Sequence, residues 1–265
     1  MDFCKASFAV VVGIALLGAP AWSMGPALAA PPAASEPGAA PEAPALEPSA
    51  ALETYQRLAA AQAEHLAALQ DQTIIHAELP GTSQSGDYEL VRTYTAAPRS
   101  LHYVSVKFTG DGFVKSNVIV RVLQSEVEQV ERGDRAATAI TERNYKFSFE
   151  GPDALAGHTV YVFEVKPRRR AAGLFKGRIF LDAHTGSLRR IEGSMAKTPS
   201  FFIRRIDFTQ DFEDIDGFTV PTELHSTTRA RVIGRAMLSI VHRGYHLTPA
   251  PTPQSAFFTP MFLTQ

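Results

Sequence analysis

The chain has 265 residues, 45% hydrophobic and 20% charged, an ordinary globular composition that allows one large domain or two small ones. Lys and Arg total 26 against 27 for Asp and Glu, so no global charge points to nucleic acid or to a membrane surface. The only Cys (Cys4), the only Trp (Trp22) and eight of the 18 prolines fall in the first 50 residues, which excludes a disulfide scaffold, a cysteine metal centre and a cysteine nucleophile from the remainder.

At the N-terminus, Lys5 precedes a mostly apolar run from Ala6 to Ala19, and small residues follow up to Ala27-Leu28-Ala29-Ala30. This is the pattern of a secretory signal peptide over residues 1–29, cleaved after Ala29. The run is short for a membrane span, though an uncleaved N-terminal anchor is the competing reading. Cys4 lies before the apolar run, so no lipid-attachment cysteine is available at its end. A soluble periplasmic or secreted protein is expected.

From Ala30 to Ser49, 13 of 20 residues are Ala or Pro, which predicts an extended spacer without a core. The foldable unit is 50–247. Beyond it, Pro249, Pro251, Pro253 and Pro260 mark a tail over 248–265 that packs only in part.

Ser49 is a good N-cap for a helix whose Leu52, Tyr55, Leu58, Leu66 and Leu69 recur at helical spacing, extending it to about Gln70. Strands are predicted over Thr73–Leu79, Gly86–Tyr94 and Leu101–Phe108, separated by Pro80-Gly81 and Pro98-Arg99, with Asp111-Gly112 as a further turn. A second helix begins near Asn117 and stops at Gly133; Ile119, Leu123, Val127 and Val130 form its stripe, with Glu126, Glu128 and Glu131 off it. A short helical piece is placed at Ala136–Ile140. Seven strands follow: Tyr145–Glu150, Thr159–Lys166, Leu174–Asp182, Ser187–Met195, Phe201–Phe212, Phe218–Thr228 and Val232–His246. Short loops between consecutive strands predict an antiparallel meander of about ten strands, too wide to stay flat. The fold class is therefore α+β: a strongly curved antiparallel sheet, an unclosed half-barrel, covering two or three helices.

Strand parity supplies the candidate ligand-binding residues. In the 201–212 run the even positions are Phe202, Arg204, Ile206, Phe208, Gln210 and Phe212, an aromatic face interrupted by one arginine. Two readings stand. A bulge near Arg204-Arg205 turns both charges outward, which is the simpler one, or Arg204 sits at the rim of an apolar cavity and holds a carboxylate or phosphate. The expected cavity lining is Phe202, Arg204, Ile206, Phe208 and Phe212, with Tyr88 and Leu90 from the earlier strand. Basic residues cluster as well: Pro167–Lys197 carries eight Lys or Arg against two acids, and Leu224–His246 four Arg and no acid. Arg168-Arg169-Arg170 reads as a solvated hairpin tip, with acidic lipid head groups as the sharper alternative.

Catalytic and metal motifs are missing. Gly81-Thr82-Ser83-Gln84-Ser85-Gly86 lacks nucleophile-elbow spacing, and there is neither a phosphate loop nor a zinc-protease motif. His242 and His246 share a strand face but stand about 13 Å apart along it, too far for one metal. The acids of 211–216 fit a hairpin turn better than a calcium loop, which would need a closing Glu at the twelfth position. Carboxylate pairs distant in sequence leave a hydrolase as a minor alternative. No enzyme activity, metal, cofactor or nucleic acid is expected.

The leading helix, the sheet-rich body and the stretches Leu174-Phe175-Lys176-Gly177-Arg178-Ile179-Phe180-Leu181-Asp182, Pro199-Ser200-Phe201-Phe202-Ile203 and Asp216-Gly217-Phe218-Thr219-Val220-Pro221 resemble the periplasmic lipoprotein-carrier superfamily (LolA/LolB-like), closest to its outer-membrane lipoprotein-sorting branch. The resemblance covers most of 50–246 and rests on element order and turn motifs. It implies a half-barrel with a helical lid, enclosing an apolar cavity for acyl chains. It further implies a soluble carrier for an acylated lipoprotein or phospholipid, loaded or unloaded by an inner- or outer-membrane transport complex. An envelope sensor or scaffold of the same fold, binding a protein partner, is the alternative.

Overall fold

A computed structural model describes residues 17–18, 44–133, 135–232 and 234–251. Apart from Leu17 and Gly18, the expected signal peptide and its cleavage site lie outside the described residues, as do most of the spacer and tail residues 252–265.

A two-residue strand, β1 (Leu17–Gly18), lies beside Thr219 and Phe218. The helix α1 (Pro48–His65) follows, then β2 (Leu66–Leu79), β3 (Gln84–Ala96) and β4 (Arg99–Gly110). A helical segment comes next, made of α2 (Gly112–Val114), a π-helical turn (Lys115–Ile119) and α3 (Val120–Arg132), with the short α4 (Arg135–Thr138) after it. The remaining strands are β5 (Tyr145–Leu155), β6 (His158–Pro167), β7 (Phe175–Asp182), β8 (Leu188–Met195), β9 (Ile203–Ile215), β10 (Phe218–Ala230) and β11 (Gly234–Pro249).

Ten strands form one antiparallel sheet in the order β4-β3-β2-β11-β10-β9-β8-β7-β6-β5. Its margins, β4 and β5, are not paired with one another among the described residues, so the sheet stays open. They are also consecutive in the chain, and the connection between them is the helical segment 112–138. Tyr88, Leu90, Ile179, Phe208, Leu238 and Ile240 from strands of both halves share one buried cluster with Tyr55 of α1 and with Val114, Val118, Ile119 and Val122 of the helical segment. That shared core defines the sheet's inner face.

Several elements differ from the sequence expectation for physical reasons. Pro48 stands at the start of α1, where its missing N–H costs nothing, and Glu47 rather than Ser49 precedes the helix. The helix ends at His65, and Leu66 and Leu69 are buried members of β2. Their three-residue interval fits a helical stripe and a distorted strand start equally well. Asp111 does not form a turn with Gly112; its carboxylate accepts from Phe113 N at 2.7 Å and Val114 N at 3.4 Å and caps α2. The end of the spacer is anchored, because Leu46 N donates to Ala183 O (2.8 Å) and Tyr161 donates to Leu46 O (2.7 Å). At the other end β11 takes in Thr248 and Pro249, paired with Ala68 and Leu66.

Candidate functional site

The inner face under the helical segment carries the residues most open to a functional role. The two helices are held against it differently. Gln62 of α1 pairs with the backbone of Thr219 as a strand would, donating to its carbonyl at 3.0 Å and accepting from its N–H at 3.2 Å. From Lys115 to Arg132, by contrast, the side-chain hydrogen bonds to the sheet among the described residues all come from Glu126.

Glu126 enters a buried ionic cluster. Arg92 of β3, with no exposed surface, donates from Nε to Asp71 Oδ2 of β2 at 2.6 Å and from Nη1 to Glu126 Oε1 at 3.5 Å. Tyr103 of β4 donates a short hydrogen bond to the other Glu126 oxygen, and Arg92 Nη2 reaches the Tyr245 hydroxyl at 3.3 Å. Asp71 Oδ1 accepts from Thr73 Oγ1 at 2.8 Å and lies 3.0 Å from His242 Nδ1. Because Thr73 Oγ1 gives its proton to the bond with Asp71, His242 carries its own on Nδ1, and its buried Nε2 has no partner among the described residues.

Burial pushes the Glu126 carboxyl above the usual carboxylate range, against the opposing pull of Arg92 and Tyr103. Burial acts the same way on Asp71, but the hydrogen bond from His242 and the Arg92 charge outweigh it and hold that carboxyl low. Burial, with the nearby Arg92 charge, pushes His242 down to about 4, so it is neutral at ordinary pH. One cation thus faces a carboxyl on the sheet whose pKa is held low and a carboxyl on the helix whose pKa is pushed up.

The expected cavity residues divide. Ile206, Phe208, Phe212, Tyr88 and Leu90 are buried on the inner face. Phe208 meets Phe175 edge-on at 5.5 Å, and Tyr88 meets Phe108 at 5.6 Å, with Lys115 Nζ 4.8 Å from the Tyr88 ring centre. Phe202 and Arg204 are corrections to the expected lining. Phe202 precedes β9 in a turn and is 40% exposed. Arg204 falls in a bulge, because Ala230 pairs with Ile203 while Arg229 pairs with Arg205, and both arginines face solvent.

Two further expectations fail for related reasons. Glu126 is on the buried stripe of α3 beside Val122 and Leu123, not off it. A register shift between Arg243 and His246 leaves His242 buried and His246 exposed, so they do not share a face. The parity argument that singled out Arg204 finds the cluster when applied to β3, where Arg92 alternates with Tyr88, Leu90 and Tyr94 on the buried face. Asp71 likewise alternates with Thr73 and Ile75.

A groove of about 300 Å³ is lined by His76, Glu78, Asp207, His225 and Met237 together with the core residues Phe208 and Leu238. His76 is tied to Asp87 and His225 to Glu223, each at 2.8 Å. No group of three or more metal-ligating side chains occurs among the described residues, and the 182–186 segment is a turn in which Asp182 Oδ1 accepts from His184 N and Thr185 N, each at 3.0 Å.

No family model matches the chain, and no curated protein matches it. Similar solved structures include a DUF1329 family protein from Desulfovibrio piger, with 11% identity and a TM-score of 0.40, covering 77% of this chain and 94% of that one. A LolA superfamily protein from Nitrosomonas europaea has 14% identity and a TM-score of 0.37, covering 78% and 96%. MucB, solved in complex with periplasmic MucA, has 13% identity and a TM-score of 0.23, covering 74% and 93%. Every one of these TM-scores lies below 0.5.

Proposed function

We propose that the protein is an exported, non-catalytic carrier that takes the acyl chain of a lipoprotein or lipid onto the inner face of its half-barrel, beneath the 112–132 helical segment. The observation that carries this reading is how that segment is fastened. Its apolar stripe covers an aromatic-rich sheet face, yet among the described residues its side-chain hydrogen bonds to the sheet between residues 115 and 132 all pass through Glu126, with Lys115 adding a cation over the Tyr88 and Phe108 rings. A buried ion pair is an inefficient way to hold a helix down, since desolvation consumes much of the attraction. As a fastening that can open and re-form in one geometry it is well suited. The segment also contains a π-helical turn, a local departure from regular helix of the kind found at functional positions.

Phe208, Phe212, Tyr88 and Leu90, which share one core with the helical segment, would then face ligand methylenes in its place, with the buried Ile206 on the same strand face. Each methylene removed from water contributes about 0.8 kcal/mol, so an acyl chain can replace the apolar contacts of a displaced helix. The test is native mass spectrometry of the protein purified from a bacterial periplasm, before and after solvent extraction. The expected result is a mass equal to residues 30–265 plus a lipid adduct that extraction removes and added phospholipid or lipopeptide restores. A bare protein mass with no uptake of either would overturn carriage and turn the search to protein partners.

A further inference from the structure

We propose that the rim formed by the 196–202 loop and the β10–β11 turn is a docking surface for an anionic phospholipid bilayer. Its shape is set by local hydrogen bonds. Ser200 Oγ accepts from Phe202 N at 3.2 Å and Ser200 O from Ile203 N at 3.0 Å, a turn that projects Phe201 and Phe202 outward. Arg231 N donates to Phe202 O at 2.8 Å and joins the two loops. The Arg231 guanidinium lies 4.3 Å from the Phe201 ring centre, and the two phenyl rings meet edge-on at 6.0 Å. Phe201 is 75% exposed and Val232 70%, so three large apolar side chains stand together in solvent at one tip.

Cations surround them. Arg204, Arg205, Arg229, Arg231 and Arg235 are all exposed. Arg229 is the cross-strand neighbour of both Arg205 and Arg235, a row of three like charges that repel one another unless an anion lies across them. Among the described residues only Arg205 of this set has a carboxylate partner, Asp207 at 2.6 Å. The rim continues into the 168–170 arginines, because Arg170 Nε donates to Ala196 O at 3.1 Å. Strand alternation places the acidic Glu213–Asp216 turn at the opposite end of the sheet.

Exposed aromatics inside a ring of arginines match the layering of an anionic bilayer, with charge at the head groups and hydrocarbon immediately below. An acidic peptide would satisfy the arginines but leave the phenyl rings in water. This surface lies outside the inner face, and its role does not depend on an acyl chain entering there.

Sedimentation of the exported protein with vesicles tests the proposal, using phosphatidylcholine alone and an equal mixture with phosphatidylglycerol. The expected result is binding to the anionic vesicles only, lost as salt is raised past the point where screening removes the head-group field. The variants Phe201→Ser/Phe202→Ser and Arg204→Glu/Arg229→Glu should each weaken binding about tenfold or more, with unchanged thermal melts because all four side chains are exposed. Docking brings protein down with the vesicles, whereas lipid extraction into the interior leaves protein and lipid in the supernatant, so failure here is separable from failure of the carrier role. Absence of vesicle binding, wild-type binding by either double variant, or capture of acidic peptides without vesicle binding overturns it.

Discussion

Arg92 is the residue on which the inner polar cluster turns. Its guanidinium is wholly buried and divides its donors among Asp71, Glu126 and Tyr245, which come from another strand, the covering helix and the far end of the chain. In Arg92→Met two carboxylates lose their cation without regaining water. We expect a cost of about 3–5 kcal/mol, read as a lowered urea midpoint. His242 supplies the pH dependence. Its folded value of about 4 lies below the ordinary 6.5, so the unfolded chain binds the proton first on acidification. Stability is therefore intact above the unfolded value and falls as pH drops toward the folded one. Between about pH 7 and about pH 5 the loss is about 2 kcal/mol. Asp71, held low, adds its own loss at more acidic pH, whereas Glu126, held high, works in the opposite direction. Melting temperature against pH should decline across this window in the wild type, and His242→Asn should flatten the upper part of the decline.

Among the elements, β7 and β8 depend on a feature without side chains. Gly177 and Gly193 face each other across these strands, and a Cβ on Gly177 would stand 1.9 Å from Glu192 O and 2.6 Å from Gly193 Cα. Gly177→Ala must force the strands apart, at a cost of about 3 kcal/mol, the upper part of the range for overpacking. Gly112, at the first turn of α2, has nothing within 4 Å of where a Cβ would stand and serves as the control, with Gly112→Ala neutral or slightly stabilising. Paired urea denaturation of the two variants checks both. Element type was legible wherever a period ran without interruption, as in the alternation of β3 or the Gly133 stop of α3, where φ is +69°. It was illegible where two periods share residues. Leu66 and Leu69 satisfy a helical interval but belong to β2, and single-residue bulges at Arg204 and after Arg243 inverted parities that would otherwise have been readable.

On the scale of the whole molecule, the meander could be anticipated because turn chemistry is local and consecutive strands pair. The contact between β2 and β11 was not, since nothing local marks a partner some 170 positions away, as with Thr73 and His242. The candidate site was half visible for the same reason. Apolar lining follows from parity along one strand, whereas a polar cluster assembled from β2, β3, β4, α3 and β11 exists only once the fold is complete. The unjoined margins β4 and β5 have a mechanical meaning of their own. A closed barrel has its girth dictated by strand number and stagger, and no guest can alter it without breaking a ladder of hydrogen bonds. An open sheet with its ends tethered by a helical strap has no such quantisation, so its curvature can widen or tighten while every ladder between neighbouring strands stays intact.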